Sequence, residues 1–424
     1  MPIASPESRR RLESLDPAQL AAHQLERLNA LLAEILPANA FYATKLASAT
    51  LPLVSLHQLS ELPYTFKDEL LGPPGSGGWA ANLTWPRERY VRYHQTSGTR
   101  GRPLAVLDTA DDWQWWMDCW NHILDAAGVT HQDVAFFAFS FGPFVGFWSA
   151  HDAALARGCQ VVPGGGMNTL ARLDLMRATE ATVVFCTPSY ALHLAETARH
   201  RNIDLGAFPV RVLVLAGEPG GSVPAVRHRI EDAWQAHVFD HAGATEIGPW
   251  GFADEAARGL YVNEAQFLAE FRPLDHAGSA QEGDLAELVL TTLGRAGSPV
   301  IRYRTGDLVR PTWPDDRATR FVLLEGGVLG RVDDMMIIRG VNIFASALDQ
   351  ILRSFPEVSE YRVTARKGGE MDQLFVEIED HLDKPQRVAE ELQLRLGLKV
   401  EVAVVPLGTL PRFEGKGARI FDER

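Results

Sequence analysis

The segment with the clearest chemical character packs hydroxyl, glycine and arginine residues into eight positions, Thr96-Ser97-Gly98-Thr99-Arg100-Gly101-Arg102-Pro103. Glycines let backbone N–H groups approach an anion closely, and hydroxyl and guanidinium groups can complete a cage around a phosphate. An exposed turn has the same composition, so the loop by itself leaves both interpretations open. It lacks the G-x-x-x-x-G-K-[ST] spacing, which excludes a Walker A site.

Five further segments place polar residues and glycines beside apolar runs. In chain order they are Ala216-Gly217-Glu218-Pro219, Asp240-His241-Ala242-Gly243-Ala244-Thr245-Glu246, Tyr303-Arg304-Thr305-Gly306-Asp307, Gly330-Arg331-Val332-Asp333-Asp334 and Pro411-Arg412-Phe413-Glu414-Gly415-Lys416. We predict that the first closes a strand and that the second follows another short strand. Ordinary alternatives exist, since Asp307 could pair with Arg304 at the surface. Glu246 could cap a helix, and Lys416 could be a solvated charge.

Length and composition place the chain among large globular proteins. It has 424 residues, of which 46 % are hydrophobic and 22 % charged, enough to build a core and to exclude disorder. The balance of 41 basic against 54 acidic residues, a formal charge of −13, argues against nucleic acid as a partner. Three scattered cysteines exclude a disulfide framework, and we expect a cytoplasmic protein.

No segment has the character of an export signal or a membrane span. Residues 1–36 contain Arg9, Arg10, Arg11, Glu13 and Asp16 within a polar stretch, and no apolar stretch follows before a cleavage-like site. The uncharged stretch from Val134 to Ala150 is shorter than a span and is broken by Gly142, Pro143 and Gly146. We interpret it as a buried strand that leads into an aromatic loop, and we expect no membrane partner.

Apolar periodicity predicts the elements that must position these motifs. Asp16 should cap a helix through a capping box with Gln19, and Thr109 should precede a tryptophan-rich helix that packs in the core. From Asp133 to about residue 295, continuous apolar runs alternate with amphipathic stretches, which is typical of layered α/β architecture. We predict a large α/β domain over residues 1–329 and a small mobile α+β domain over residues 330–424.

In order and spacing, the motifs resemble those of the adenylate-forming enzymes, a superfamily of acyl-CoA synthetases, adenylation domains and luciferase. Within it, the chain is most similar to phenylacetate–CoA ligase and its relatives. Three segments carry that closer resemblance: Leu62-Pro63-Tyr64-Thr65-Phe66-Lys67-Asp68-Glu69-Leu70, Val300-Ile301-Arg302-Tyr303-Arg304-Thr305 and Asp334-Met335-Met336-Ile337-Ile338-Arg339-Gly340-Val341-Asn342. The resemblance covers roughly residues 62 to 420.

The resemblance implies that a carboxylate attacks the α-phosphorus of ATP, releases pyrophosphate and forms an acyl-adenylate. Positive charge and fixed dipoles must then stabilise the phosphates. The implied phosphate ligands are Thr96, Ser97, Gly98, Thr99, Gly101, Arg102 and Thr245. Glu246 would bind Mg²⁺, and Lys416 would bridge the acyl carboxylate and the α-phosphate. The rest of the nucleotide would meet Gly217, Glu218, Pro219, Asp240, Asp307 and Arg331.

The resemblance also implies a small-molecule carboxylic acid as substrate. Phe141, Phe144, Ala216 and Ala244 would line its pocket, and the many aromatic residues favour an aryl or arylacetic acid. CoA is the expected acceptor. One alternative is that the enzyme transfers the acyl group to a carrier protein or an amine. Another is that the chain is a nucleotide-binding homologue without ligase activity. The sequence also allows a homodimer.

Gly330–Asp333 is expected to form a hinge, with Asp333 absorbing the rotation of the small domain, although a rigid β-turn is the alternative. Two positions depart from the family pattern. Arg102 replaces the usual lysine, and Ala242 stands where relatives carry a tyrosine that stacks on adenine. No cysteine occurs between Gly248 and Thr292, so we predict no structural zinc.

Overall fold

The structure, a computed structural model, describes residues 5–72, 78–96, 102–274, 276, 278–313, 319–332, 335–339, 341–368, 371–411 and 419–424. The α-helices are α1 (Pro6–Glu13), α2 (Pro17–Ile35), α3 (Ala40–Lys45), α4 (Lys67–Leu70), α5 (Ala110–Ala126), α6 (Trp148–Arg157), α7 (Thr169–Ala178), α8 (Pro188–His200), α9 (Pro224–Trp234), α10 (Ala345–Arg353) and α11 (Pro385–Leu396). Short 3-10 turns lie at Leu56–Glu61, Arg87–Arg89 and Leu205–Ala207.

The strands are β1 (Tyr90–Gln95), β2 (Ala105–Thr109), β3 (Val134–Phe137), β4 (Gln160–Pro163), β5 (Val183–Cys186), β6 (Val212–Leu215), β7 (His237–Ala244), β8 (Gly248–Phe252), β9 (Gly259–Val262), β10 (Phe267–Pro273), β11 (Ala286–Thr292), β12 (Tyr303–Val309), β13 (Pro311–Thr312), β14 (Leu323–Glu325), β15 (Gly330–Arg331), β16 (Met335–Ile338), β17 (Val341–Phe344), β18 (Val358–Gly368), β19 (Met371–Asp380), β20 (Glu401–Val404) and β21 (Ile420–Asp422). In the part of the chain that these elements cover, no helix is long and apolar enough to cross a membrane.

The helix starts predicted from the sequence are confirmed. The Asp16 carboxylate accepts the N–H of Gln19 at 2.8 Å, and the Gln19 side chain accepts the N–H of Asp16 in return. Thr109 caps α5 in the same way through Asp112. These caps satisfy backbone donors that the first turn of a helix leaves unpaired, so each helix begins where its polar cap residue stands.

A nine-stranded sheet forms the centre of the larger part of the molecule. Its strand order is β13-β14-β9-β8-β7-β6-β5-β3-β4, with β4, β3, β5, β6 and β7 parallel and the remaining pairs antiparallel. Side chains of the parallel strands alternate between two cores. One core, under α5 and α6, contains Phe137, Phe185 and Val214, and the other, under α7, α8 and α9, contains Phe136, Val184 and Leu213. The layered α/β prediction is therefore confirmed.

Two smaller antiparallel units complete the fold. The sheet β10-β11-β12-β15 packs beside the tryptophan-rich face of α5, and the C-terminal sheet β20-β19-β18-β21 has its own apolar core with α10 and α11. One prediction about local structure is wrong. Asp240–Ala244 does not follow a strand but forms the second half of β7, because Asp240 pairs with Leu215 of β6 and the next four residues pair with β8.

Candidate active site

The carboxyl ends of the parallel strands bring several predicted segments to one edge of the nine-stranded sheet. The aromatic loop from Ala138 to Phe147 follows β3, the segment Ala216–Pro219 follows β6, and Thr245 and Glu246 follow β7. In open α/β sheets, the crevice outside this edge is the usual position of a ligand. Segments more than 100 residues apart in the sequence therefore border one region of the molecule.

Glu246 lies at the centre of this edge and is 8 % exposed. One of its carboxylate oxygens accepts the hydroxyl of Tyr303 at 2.9 Å and lies 3.3 Å from the Lys67 ammonium. Burial alone would raise the pKa of Glu246, but Lys67, a backbone N–H and Tyr303 outweigh burial and hold the pKa below its usual value. Glu246 is thus a buried carboxylate that stays ionised, which is the state that a cation ligand requires.

Lys67 reaches Glu246 because its segment docks beside β12. The Thr65 N–H donates to the Arg302 carbonyl at 2.9 Å, and the Thr65 carbonyl accepts the Arg304 N–H at 3.0 Å. These bonds place the start of α4 next to Tyr303, the residue that also contacts Glu246. Sequence reasoning did not assign Lys67 or Tyr303 to the site, although both lie in segments that it quoted. The signal available in the sequence was that the segments containing Lys67 and Tyr303 occur in the same chain as the Thr245-Glu246 segment.

The two described ends of the glycine-rich loop are already bound by the protein itself. The Thr96 hydroxyl accepts the Leu104 N–H at 3.0 Å, and the Arg102 guanidinium donates to the carbonyl of Gly72. Thr96 is buried and Arg102 is exposed. Ser97, Gly98, Thr99 and Gly101 lie outside the described residues.

The residues expected around adenine also have partners within the chain. The Asp240 carboxylate accepts the hydroxyl of Ser222 and the N–H of His241, and burial raises the pKa of Asp240 to about 6. The Glu218 carboxylate accepts the Ser189 N–H at the start of α8, at 2.6 Å. Gly217, at a φ of +96°, and Pro219 are exposed, so backbone groups of this segment face outward.

The residue expected to bind ribose, Asp307, forms an ion pair with Arg331 at 2.7 Å. The two residues face each other across β12 and β15. The alternative pairing with Arg304 is wrong, since the Arg304 guanidinium binds Glu287 at 3.0 Å instead. The pair links the proposed nucleotide site to the residues just before Asp333. Asp333 and Lys416 lie outside the described residues.

A buried ion pair supports the turn that carries Thr245. The Arg295 guanidinium donates to Asp108 at 2.7 Å and to the Thr245 carbonyl at 3.2 Å, and both charged side chains are almost fully buried. Replacing one member of such a pair leaves an uncompensated charge in the interior. The position of Thr245 therefore depends on an arginine 50 residues away.

We expect Arg295→Met to lower the free energy of unfolding by about 3–5 kcal/mol, since Asp108 would lose its buried counter-charge. Urea denaturation followed by tryptophan fluorescence measures this change. Arg177→Met is the matched control, because Arg177 and Asp174 form an exposed pair 3.1 Å apart that contributes at most about 1 kcal/mol. Equal losses in the two variants would contradict a supporting role for Arg295.

The phenylalanines of the aromatic loop differ in exposure. Phe141 packs against Phe137, Phe139 and Trp148 and is half-buried. Phe144 is 45 % exposed, on the outer surface of the loop, because Phe139 and Phe147 fill the inner side instead. Ala216 and Ala244 are half-buried, and Ala216 lies at the margin of the same apolar cluster.

The donor groups available for metals are limited in the described ranges. There, no group of three or more His, Cys, Asp or Glu side chains is arranged to hold a metal ion, and the three cysteines are buried thiols. A single carboxylate such as Glu246 nevertheless fits Mg²⁺, which takes most of its ligands from phosphates and water.

Comparison with known proteins agrees with these motifs over the whole chain. The profile of the AMP-binding enzyme C-terminal domain matches residues 340–424. Phenylacetate-coenzyme A ligase of Pseudomonas putida is 31 % identical over an alignment of 434 positions, which covers 97 % of this chain and 97 % of that protein. The structure of a 2-hydroxyisobutyryl-CoA ligase in the postadenylation state, with 2-HIB-AMP bound, is 26 % identical, has a TM-score of 0.90 and covers 99 % of this chain and 94 % of that one.

The same ligase in the thioesterification state, with 2-HIB-AMP and CoA, has an equal identity of 26 % and equal coverage but a TM-score of 0.73. The overall arrangement of this chain is therefore more similar to that protein after adenylation than during thioester formation. Motifs, fold and full-length similarity agree, and the chain belongs to the phenylacetate-coenzyme A ligase family of adenylate-forming enzymes.

Proposed function

We propose that this chain is an ATP-dependent carboxylic acid–CoA ligase that works through an acyl-adenylate, with an aryl or arylacetic acid as substrate. In the first step, an oxygen of the acid bonds to the α-phosphorus of ATP and pyrophosphate leaves. In the second step, the CoA thiolate bonds to the acyl carbon and AMP leaves. Both steps place two anions or electron-rich groups together, so the site must supply positive charge.

The observation that carries the proposal is the contact of buried Glu246 with both Lys67 and Tyr303. Three segments that are distant in sequence meet at one ionised carboxylate. We propose that Glu246 holds Mg²⁺, which would supply positive charge to the phosphates of ATP. Lys67, close to half exposed, is then free to turn toward the phosphates.

The remaining roles follow the motifs. Thr96, Arg102 and the intervening glycine-rich loop would bind the leaving phosphates, Thr245 the α-phosphate and Asp307 the ribose hydroxyls. Asp307 lies 2.7 Å from Arg331, and a carboxylate accepts hydrogen bonds without donating them, which suits the hydroxyls of a ribose diol. Because Ala242 cannot stack on adenine, we expect the backbone of Gly217–Pro219 to supply most adenine contacts.

The apolar cluster after β3 supports an aryl or arylacetic acid. Phe139, Phe141 and Ala216 are partly buried and pack at the margin of the core under α5 and α6. Aromatic side chains at such an edge favour a flat apolar ligand, because rings pack in edge-to-face geometry. CoA is the proposed acceptor of the acyl group, and a carrier protein is the alternative. A screen of acceptors distinguishes the two, because only the first predicts turnover with free CoA.

We propose that the small C-terminal domain rotates about Asp333 between the two steps. The difference in TM-score between the two states of the 2-hydroxyisobutyryl-CoA ligase supports two arrangements in a relative of this chain. A hinge residue absorbs the change in backbone angles, and proline fixes φ.

Asp333→Pro should therefore lower thioester formation by about ten-fold or more relative to adenylation, because a fixed φ blocks rotation. Pyrophosphate exchange measures the first step, and the reaction of preformed acyl-adenylate with CoA measures the second. Asp333→Ala is the matched control, since it removes the carboxylate but keeps the backbone free. Equal losses in the two steps for Asp333→Pro would contradict the hinge.

The proposed function is tested by ATP–pyrophosphate exchange with a panel of aryl, arylacetic and short alkyl acids, followed by product analysis with CoA. We expect exchange that depends on an aryl-containing acid, and an acyl-CoA product. Exchange without thioester, restored only by a carrier protein or an amine, would favour the alternative acceptor. Absence of exchange with every acid, while ATP binds, would indicate a homologue without ligase activity.

A further inference from the structure

His241 differs from the other residues of the apolar cluster because it brings a polar atom into it. The residue is 8 % exposed, and its ring centroid lies 4.3 Å from that of Trp120 on α5. Trp120 in turn packs against Phe147, whose ring contacts Phe139. A buried imidazole at this position needs hydrogen-bond partners for both ring nitrogens, since an unpaired buried polar atom is costly.

Strand alternation places His241 on the same side of the sheet as the proposed acid pocket. Phe137 on β3 and Val214 on β6 face the core under α5 and α6, so Phe139 and Ala216, two residues further on, face that side as well. Phe239 on β7 also faces this core, which puts His241 on the same side and Asp240 on the other. Phe139, Ala216 and His241 thus border the same end of the cluster.

The hydrogen bonding of His241 determines which of its nitrogens carries the proton. Nδ1 lies 2.7 Å from the carbonyl oxygen of Gly251, which can only accept a hydrogen bond, so Nδ1 is the protonated nitrogen. Burial lowers the pKa of His241 to about 4, and the ring is therefore neutral at physiological pH. Nε2 carries a lone pair and is a hydrogen-bond acceptor.

Within the described part of the chain, no donor is hydrogen-bonded to this Nε2. Gly243 is exposed, and a Cβ added there would lie 3.3 Å from Nε2 and 2.9 Å from the Gly248 carbonyl oxygen. Glycine at this position therefore keeps a side chain away from Nε2 where the backbone of Gly248 already approaches closely. A ligand with a donor group could fill the vacant hydrogen bond from this side.

We propose that His241 Nε2 accepts a hydrogen bond from the acid substrate, so that the enzyme selects acids whose apolar part bears a hydroxyl or amino group. This inference rests on the proposed function and narrows its substrate class. Thr245 lies in the turn after β7, four residues beyond His241, which is at most about 13 Å along the chain. The donor therefore belongs on the end of the acid remote from the carboxylate, such as the meta or para position of an arylacetic acid.

Matched pairs of acids test this inference directly. We expect the full-length enzyme to use 3- or 4-hydroxyphenylacetate with a kcat/KM at least about ten-fold above that of the methyl analogue with the same ring position, because the methyl group leaves Nε2 unpaired. The corresponding aminophenylacetate should share this advantage. Phenylacetate itself provides the reference without a substituent.

His241→Phe keeps an aromatic ring against Trp120 but removes the hydrogen-bond acceptor. The ratio of kcat/KM for the hydroxyl-substituted acid to kcat/KM for its methyl analogue, called the hydroxyl-to-methyl ratio, should therefore fall to about one. His241→Gln retains an acceptor oxygen and should recover part of the ratio. His122→Phe is the matched control, because His122 is a buried histidine on α5 that binds Glu13 at 2.6 Å, and its ratio should equal that of the wild type.

A wild-type ratio near one, or a ratio unchanged in His241→Phe, would overturn the inference even if aryl acids are converted to thioesters. His151 also borders the aromatic loop, through Phe141 and Trp148. If the preference for the hydroxyl-substituted acid disappears in His151→Phe but persists in His241→Phe, His151 and not His241 selects the substrate, and the inference is equally overturned. Absence of exchange with any acid would instead contradict the proposed function.

Discussion

Glu246→Gln is expected to lower kcat/KM for adenylation by about 100- to 1,000-fold, the loss typical of removing one preorganised electrostatic group from an active site. The substitution conserves shape and the hydrogen bond with Tyr303, but it removes the negative charge that pairs with Lys67. Mg²⁺ would lose its protein ligand at the same time. Pyrophosphate exchange at saturating acid and varied Mg²⁺ measures the effect, which excess Mg²⁺ should partly reverse.

Glu264→Gln is the matched control for Glu246→Gln. Glu264 is a half-buried glutamate, desolvation raises its pKa to about 7, and its carboxylate accepts the Val322 N–H at 2.7 Å. We expect this variant to retain wild-type exchange, because a neutral side chain already suits the position. If both variants lose activity equally, or if Glu246→Gln retains it, the assignment of Glu246 to the metal and phosphate site is wrong.

A double substitution tests whether Lys67 and Glu246 act together in adenylation. Lys67→Met alone should lower exchange because it removes positive charge near the phosphates. If Lys67 and Glu246 act as one unit, the double variant should lose less than the product of the two single losses. Independent effects that multiply would indicate that Lys67 and Glu246 serve different parts of the reaction.

Lys416→Ala is expected to lower adenylation by about 100- to 1,000-fold while ATP binding stays nearly unchanged. The reason is that an ammonium bridging the acid and the α-phosphate gains strength as charge develops in the transition state. The second step does not need this bridge. The variant should therefore convert preformed acyl-adenylate and CoA to thioester at a rate near that of the wild type, measured in a single-turnover assay.

Lys399→Ala provides the control, since Lys399 is an exposed lysine of the same C-terminal region. Both steps should be unaffected in that variant. Unchanged pyrophosphate exchange in Lys416→Ala would exclude the residue from the mechanism. An equal loss in both steps would point to a structural defect rather than to loss of a charge that acts in adenylation only.

The sequence alone determined the fold class, the helix caps and the order of the motifs. Capping is a local interaction between residues three positions apart. The sequence alone therefore predicts such caps, as in the pairs Asp16 with Gln19 and Thr109 with Asp112. Continuous apolar runs predicted strands buried on both faces, since a strand between two helix layers exposes neither face to water. The resemblance to adenylate-forming enzymes rested on the same one-dimensional information.

The tertiary structure alone decided which charges meet. Arg304 binds Glu287 rather than Asp307, and Asp307 binds Arg331, because the registers of β11, β12 and β15 place these residues opposite each other. The contact of Lys67 with Glu246 likewise depends on the docking of one segment beside β12. Pairings between strands and loops distant in sequence arise from register and packing, which spacing along a chain does not encode.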